Sequence, residues 1–299
     1  MRVALVTGAG GFVGRHLVAH LVASGDAVVA VDREVDVTDP QAVAAAVAAA
    51  SPDVVYHLAA LSHVGRSWSE PEAVRAVNVG GTRSVLEAVA ARAPRARVVV
   101  VSSAEVYGVT RPEDQPLAET RSLAPVSPYA QSKARAEAVA LEAAAAGRDV
   151  VVARPFTHVG PGQAPTFFVP ALATRLLRAR AVGAREVPVG DLTPRRDLTD
   201  VRDVVRAYRE LALFGASGTV YNVASGVDHA MAEVAAALVE MVAPGTRLVL
   251  DPSLVRPVEI PVSRGDPARL RAATRWRPTI DLARSLSDVV SDLVRSHQG

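Results

Sequence analysis

Cysteine is absent from the 299 residues, which excludes disulfides, thiolate metal sites and a cysteine nucleophile. Aromatic residues supply 4% of the chain against 49% hydrophobic residues, so a core must be filled largely by Val, Leu and Ala. No basic run interleaved with aromatics occurs and the formal net charge is +2, so nucleic acid is not an expected partner. No apolar stretch reaches membrane-spanning length. An apolar strand pattern begins at Val3, so no secretory leader is expected and the cytoplasm is the default compartment. His57, His63 and His158 share no metal-ligand spacing, and no metal site is expected.

Lysine is nearly absent as well. Lys133 is alone among 33 basic residues, and it stands four positions after a tyrosine in Tyr129-Ala-Gln-Ser-Lys133. Where charge alone matters this chain uses arginine. A retained lysine therefore marks a place for a compact ammonium, such as beside a phenol whose ionised form it stabilises. The alternative, an i,i+4 pair on a solvated helix face, is weighed against the N-terminal pattern.

That pattern runs Val3-Ala-Leu-Val-Thr7, then Gly8-Ala-Gly10-Gly11-Phe12-Val13-Gly14, then a segment with Leu17, Val18, Leu21 and Val22 at helical spacing. Glycines between a strand and a helix let the backbone approach a pyrophosphate at the helix N-terminus. A second strand, Ala27–Val31, ends in Asp32, an acceptor suited to the adenosine ribose of NAD(H). Arg33 follows and leaves NADP(H) open.

Strand and helix alternate through residue 154. Helices are expected at Asp39–Val47, Pro71–Ala91 and Pro128–Ala146, and strands at Asp53–Leu58, Arg97–Ser102 and Asp149–Arg154. This specifies an α/β fold with a Rossmann-type doubly wound parallel sheet. The short link from Asp32 to Asp39 leaves out one element common in larger relatives. Prolines then break the pattern, before a helix at Asp200–Phe214 and a strand at Thr219–Val223 that returns to the sheet. Further helices are expected at Ala230–Val242 and Leu282–Arg295. Residues 1–154 with 200–224 are read as the dinucleotide-binding domain, and 155–199 with 225–299 as a smaller, discontinuous substrate domain.

Thr7-Gly8…Gly11…Gly14, Ser103 after the fourth strand and Tyr129…Lys133 together resemble the short-chain dehydrogenase/reductase superfamily, in its extended branch acting on nucleotide-linked sugars. The resemblance implies that Tyr129 moves a proton to or from the substrate oxygen. It implies that Lys133 lowers the tyrosine pKa and binds the nicotinamide ribose, and that Ser103 holds the reacting oxygen. Leu58, Ala59, Ala60 and Pro155 would contact cofactor. Arg154-Pro-Phe-Thr157-His158-Val-Gly-Pro-Gly-Gln163, Arg195-Arg196-Asp-Leu-Thr-Asp200 and Arg256-Pro-Val-Glu-Ile-Pro-Val are similar to stretches of GDP-6-deoxy-4-keto-mannose reductases. By that likeness Ala104, Thr157, His158, Arg196 and Arg256 would line the substrate, with the arginines on its diphosphate. Thr157 departs from the asparagine of that pattern. Glu105 is read either as the base that related 4,6-dehydratases use at sugar C5 or as a structural acceptor. Ala104 stands where dTDP-glucose dehydratases carry an aspartate.

The leading expectation is an NAD(P)-dependent reductase of a nucleotide-diphosphate 4-keto-6-deoxy sugar. The rivals are a 4-epimerase or 4,6-dehydratase with tightly bound NAD and, more remotely, a non-catalytic nucleotide-binding regulator. By the same resemblance a homodimer is expected, in which the Pro71–Ala91 and Pro128–Ala146 helices of two copies pack together through small apolar faces of the second; the alternative is that its alanines only reflect the composition of the chain.

Overall fold

Valine runs make the central sheet. In the computed structural model, which describes residues 1–255 and 259–296, β1 (Val3–Thr7), β2 (Ala27–Val31), β3 (Val54–His57), β4 (Arg97–Val101), β5 (Val150–Pro155) and β9 (Thr219–Val223) pair in the order β2-β1-β3-β4-β5-β9. Every pair is parallel. Strands covered on both faces need no polar alternation, and β5 is buried at all six positions. The strand β2 is an edge, and only turns separate it from α2 (Pro40–Ala50), as the short link implied. Asp39 caps α2 by accepting from the Gln41 amide.

One face of the sheet is covered by α1 (Phe12–Ala23) and α8 (Val201–Phe214), through Leu17, Leu21, Val204, Tyr208 and Leu211. The other is covered by α2, α5 (Gly81–Arg92) and α6 (Pro128–Ala145), through Val43, Val47, Val85, Val89 and Ala140. The helix expected at 71–91 is interrupted. A short α3 (Val64–Ser67) and α4 (Pro71–Arg75) precede a five-residue π turn, Ala76–Gly80, before α5. Within that turn the Asn78 amide accepts from Leu61 N at 2.8 Å, donates to Leu61 O at 3.1 Å and donates to Ser132 Oγ at 2.8 Å. The wider turn lets a buried side chain tie the segment after β3 to α6.

Beyond β5, where prolines break the strand–helix alternation of the sequence, the chain forms short strands. They are β6 (Thr157–Val159), β7 (Glu186–Val189), β8 (Arg195–Asp200), β10 (Asp228–Ala230), β11 (Arg247–Leu250) and β12 (Val262–Ser263). Strand β8 pairs with β10, β12 and β6, and β7 with β11. A helix that the prolines concealed, α7 (Phe168–Val182), carries Pro170 in its first turn, where the missing N–H would have no helical partner. It packs with α9 (Met231–Val242) and α11 (Leu282–Ser296) around Leu172, Leu176, Val189, Leu198 and Leu238. Leu270 of α10 (Ala268–Thr274) and Trp276 join the core of the parallel sheet instead.

Buried charge ties α6 to the sheet. Glu137 and Arg154, 2% and 4% exposed, form an ion pair in which Arg154 Nε donates to Glu137 Oε2 at 2.9 Å. Arg154 also donates to the Tyr107 hydroxyl at 2.9 Å, which donates to Asn222 Oδ1 at 2.7 Å. The outward stripe of α6 carries Gln131, Arg135 and Glu142 beside Ala138 and Ala145, so it is less apolar than its alanine count suggested.

Candidate active site

The turn between β1 and α1 has no room for a side chain at Gly8 or Gly14. Gly8 has φ +70°, and a Cβ there would stand 2.7 Å from the Ala59 amide nitrogen. Only glycine tolerates that pairing of conformation and approach. Helix α1 starts after Gly11 with no side-chain cap and no acidic residue in its first turn. Its free N–H groups and positive dipole end suit a pyrophosphate. Asp32 leaves β2 against Gly10, and Arg33 is exposed beside it. Gly8, Gly11, Phe12, Val13, Gly14, Asp32, Arg33 and the Leu58–Ala60 segment all line one cavity of about 1200 Å³.

The same cavity reaches the ends of β4 and β5, where Ser103, Ala104, Glu105, Tyr129, Lys133 and Pro155 line it. Ser103 accepts from the Glu105 amide at 3.2 Å, which starts a short 3-10 turn and aims Glu105 at the cavity. Ser127 caps α6 and so fixes Tyr129 in the helix's first turn. Burial pushes the Tyr129 phenol up to about 12. The Ser103 hydroxyl opposes that shift by hydrogen bonding, and the Glu105 charge adds to it. Burial brings Lys133 down to about 8, and its Nζ donates to the Val101 carbonyl at 2.8 Å. Burial is the largest of these influences on the phenol.

His57 is structural. Thr7 Oγ1 receives the Ala59 N–H at 3.3 Å and lies 2.9 Å from His57 Nδ1, while Nε2 lies 3.1 Å from Thr82 Oγ1. The Thr82 hydroxyl donates to Asn78 O at 2.7 Å, so the ring donates from Nε2 and accepts at Nδ1. Burial, then the Lys133 charge, lowers its pKa to about 3. His63 caps α3, accepting the Arg66 amide at 3.1 Å.

On the substrate side, Thr157, His158 and Arg196 line the cavity, and Arg256 lies outside the described residues. His158 stacks on Phe12 with centroids 6.0 Å apart, and its Nδ1 lies 3.1 Å from the Phe156 carbonyl. Arg196 pairs with Glu259 and donates to Ile260 O at 2.6 Å. The acids of the 195–203 stretch organise loops. Asp197 receives Ser225 N, Gly226 N and Gly265 N, Asp200 caps α8 and receives the Ser285 hydroxyl, and Asp203 receives Thr279 N and Ile280 N. Among the described residues no cluster of three or more His, Asp or Glu is disposed to hold a metal ion.

Among the cavity residues that sequence reasoning missed, three bear on its chemistry. The hydroxyls of Ser102 and Tyr208 are buried with no hydrogen-bond partner among the described residues, and both residues line the cavity. A buried unpaired hydroxyl costs about 1–3 kcal/mol, so the site fits a polar occupant such as a nicotinamide dinucleotide. Ser102 was visible beside Ser103. Tyr208 lies on a helix more than 70 residues further on and gave no local signal. The third is Arg175 of α7.

Residues 4–224 match the NAD dependent epimerase/dehydratase family. The chain is 35% identical over 291 residues to GDP-6-deoxy-D-mannose reductase of Pseudomonas aeruginosa, covering 96% of this chain and 95% of that protein. The structure of RMD from Pseudomonas aeruginosa complexed with NADPH superposes with a TM-score of 0.93 at 34% identity, covering 99% of this chain and 100% of that one. MoeE5 in complex with UDP-glucose and NAD gives a TM-score of 0.86 at 32% identity, covering 98% and 99%.

Proposed function

This chain belongs to the NAD-dependent epimerase/dehydratase family, and we propose that within it the protein is an NAD(P)H-dependent reductase of a GDP-linked 4-keto-6-deoxy sugar. The observation that carries this reading is that Ser103, Tyr129 and Lys133 line the same cavity as the glycine turn before α1, with the Tyr129 phenol protonated near neutrality. Reduction of a ketone consumes one hydride and one proton, and a protonated phenol is the group that reduction needs. Bound NAD(P)H supplies the hydride.

The chain's own residues do the rest. The α1 N-terminus and the glycine turn hold the pyrophosphate, Asp32 and Arg33 meet the adenosine ribose, and Lys133 meets the nicotinamide ribose. Ser103 donates to the C4 carbonyl oxygen, and Tyr129 delivers the proton that makes it a hydroxyl. The Lys133 ammonium favours the tyrosinate left behind. Thr157, His158 and Arg196 line the sugar diphosphate, in a substrate-binding part built around α7, α9 and α11. Asp32 supports NAD(H), and Arg33 keeps NADP(H) within reach. We read the enzyme as a cytoplasmic homodimer that joins through α5 and α6.

Glu105 supports a second reading. It lines the cavity close enough to Tyr129 to raise its pKa, as a base at sugar C5 would stand in a dehydratase. The purified protein separates the two. Loss of reduced-nicotinamide absorbance in the presence of a GDP-4-keto-6-deoxy sugar supports the reductase. Stoichiometric, non-exchangeable NAD with no net cofactor consumption overturns it.

A further inference from the structure

Arg175 is set apart from Arg196, the other arginine on the substrate side of the cavity. It projects from α7, is partly buried, and donates from NH1 to the Pro188 carbonyl of β7. Among the described residues no carboxylate lies within ion-pair distance of it, whereas Arg196 on the same wall is matched by Glu259. Burial depresses its pKa, and Asp251 acts on it only from beyond ion-pair distance. That aspartate is itself engaged by Ser253, whose amide donates at 2.9 Å and hydroxyl at 2.7 Å. The Pro188 contact pins the guanidinium and leaves the two-donor edge formed by Nε and NH2 without a protein partner among the described residues.

The wall around it is apolar. Phe168 and Leu172 of α7, Val189 of β7 and Leu254 line the cavity with it, Leu172 and Val189 being 0% and 4% exposed. A diphosphate is strongly hydrated and gathers at helix N-termini and clustered donors, whereas a planar base suits apolar walls with one polar group aimed at its edge. A guanidinium edge matches two adjacent acceptors. Guanine offers these as O6 and N7, adenine sets an amino group beside N7, and thymine sets a methyl group beside O4.

We propose that Arg175 reads the nucleobase of the substrate through its Nε/NH2 edge, and that the base it selects is guanine. This rests on the reading of the substrate as a nucleoside-diphosphate sugar and names the residue that chooses among such substrates.

Calorimetric titration of the full-length protein with GDP and with UDP tests it, in the wild type, Arg175→Met and Arg175→Lys. The wild type binds GDP at least about tenfold more tightly than UDP. Arg175→Met loses about tenfold or more in GDP affinity while UDP affinity changes less than about twofold. Arg175→Lys, which keeps the charge but not the fork, loses nearly as much. An unchanged dissociation constant for NADPH shows that each variant is folded. Equal losses for GDP and UDP, or rescue by lysine, mark a phosphate contact and overturn the proposal. Undiminished GDP binding in Arg175→Met overturns it while leaving the reductase reading intact. A wild type that prefers UDP overturns both.

Discussion

Lys133 Nζ donates to the backbone carbonyl of Val101 at 2.8 Å, which fastens the helix that carries Tyr129 to the end of β4. The contact holds the ammonium one helical turn from the phenol and buries it enough to bring its pKa down to about 8.

Two outcomes follow for catalysis. Tyr129→Phe lowers kcat by about 100-fold or more with nucleotide affinity nearly unchanged, because only the proton-transferring oxygen is lost. Lys133→Arg keeps less than about a tenth of wild-type activity, since a planar fork cannot occupy the place of the ammonium. Steady-state kinetics with cofactor titrations checks both, and a Lys133→Arg enzyme of near-normal rate contradicts the role assigned to the lysine.

The pH profile of reduction reflects the same lysine. With Tyr129 protonated up to about 12, the group that changes charge near neutrality is Lys133, at about 8. Loss of its charge removes support for the tyrosinate, so kcat/KM falls as pH rises through about 8. A profile that stays flat up to about pH 10 excludes Lys133 from this role.

Cofactor preference rests on Asp32 and Arg33. An Asp32 carboxylate on the adenosine ribose would accept from its hydroxyl pair and repel a 2′-phosphate, so the wild type is expected to bind NADH at least as tightly as NADPH. Asp32→Ala shifts the ratio toward NADPH. Fluorescence titration of both reduced cofactors measures the ratio, and about tenfold tighter NADPH binding by the wild type removes Asp32 from its assignment.

His57 sets part of the acid stability. Its pKa is 6.5 when unperturbed and about 3 in the fold. Between these values the unfolded chain binds a proton that the folded one refuses, so stability falls as pH drops from 6.5 toward 3. His57→Asn flattens this stretch of the urea-midpoint curve, whatever its cost at neutral pH. An unaltered slope shows that other groups control acid unfolding.

The Glu137–Arg154 pair predicts a large stability effect. Glu137→Gln leaves a guanidinium uncompensated in the interior and costs about 3–5 kcal/mol. Replacing both residues together, as Glu137→Leu with Arg154→Met, restores most of that loss. Chemical denaturation of the three proteins measures it, and a single variant as stable as the wild type shows that water reaches the pair.

Assembly is tested on the outward stripe of α6. If α5 and α6 pack against a second copy, light scattering at micromolar concentration gives a dimer mass, and Ala138→Glu with Ala145→Glu converts it to monomer. A monomeric wild type excludes the dimer, and a dimer indifferent to these charges joins elsewhere.

The residues from Val3 to Asp32 were legible because their signals are local. A valine strand, glycines with no room for a Cβ and a helical apolar stripe each declare themselves within a few residues, and the Tyr129/Lys133 pair lies on one helix turn. The strands β6, β7, β8, β10 and β12 are two to six residues long and carry no periodicity, so their partners, distant in sequence, define them. Prolines concealed α7, because a proline in the first turn reads locally as a break. Its Arg175 therefore entered the cavity unannounced. The acids of the 195–203 stretch stand in a motif read for its arginines and hold loops, since hydrogen-bond partners 28 to 85 residues away decide what a carboxylate does. The rise in the Tyr129 pKa likewise follows from burial and from the Glu105 charge. Neither exists until strand, turn and helix have met, so sequence alone determined which groups are present, and the tertiary structure decided which of them carry charge.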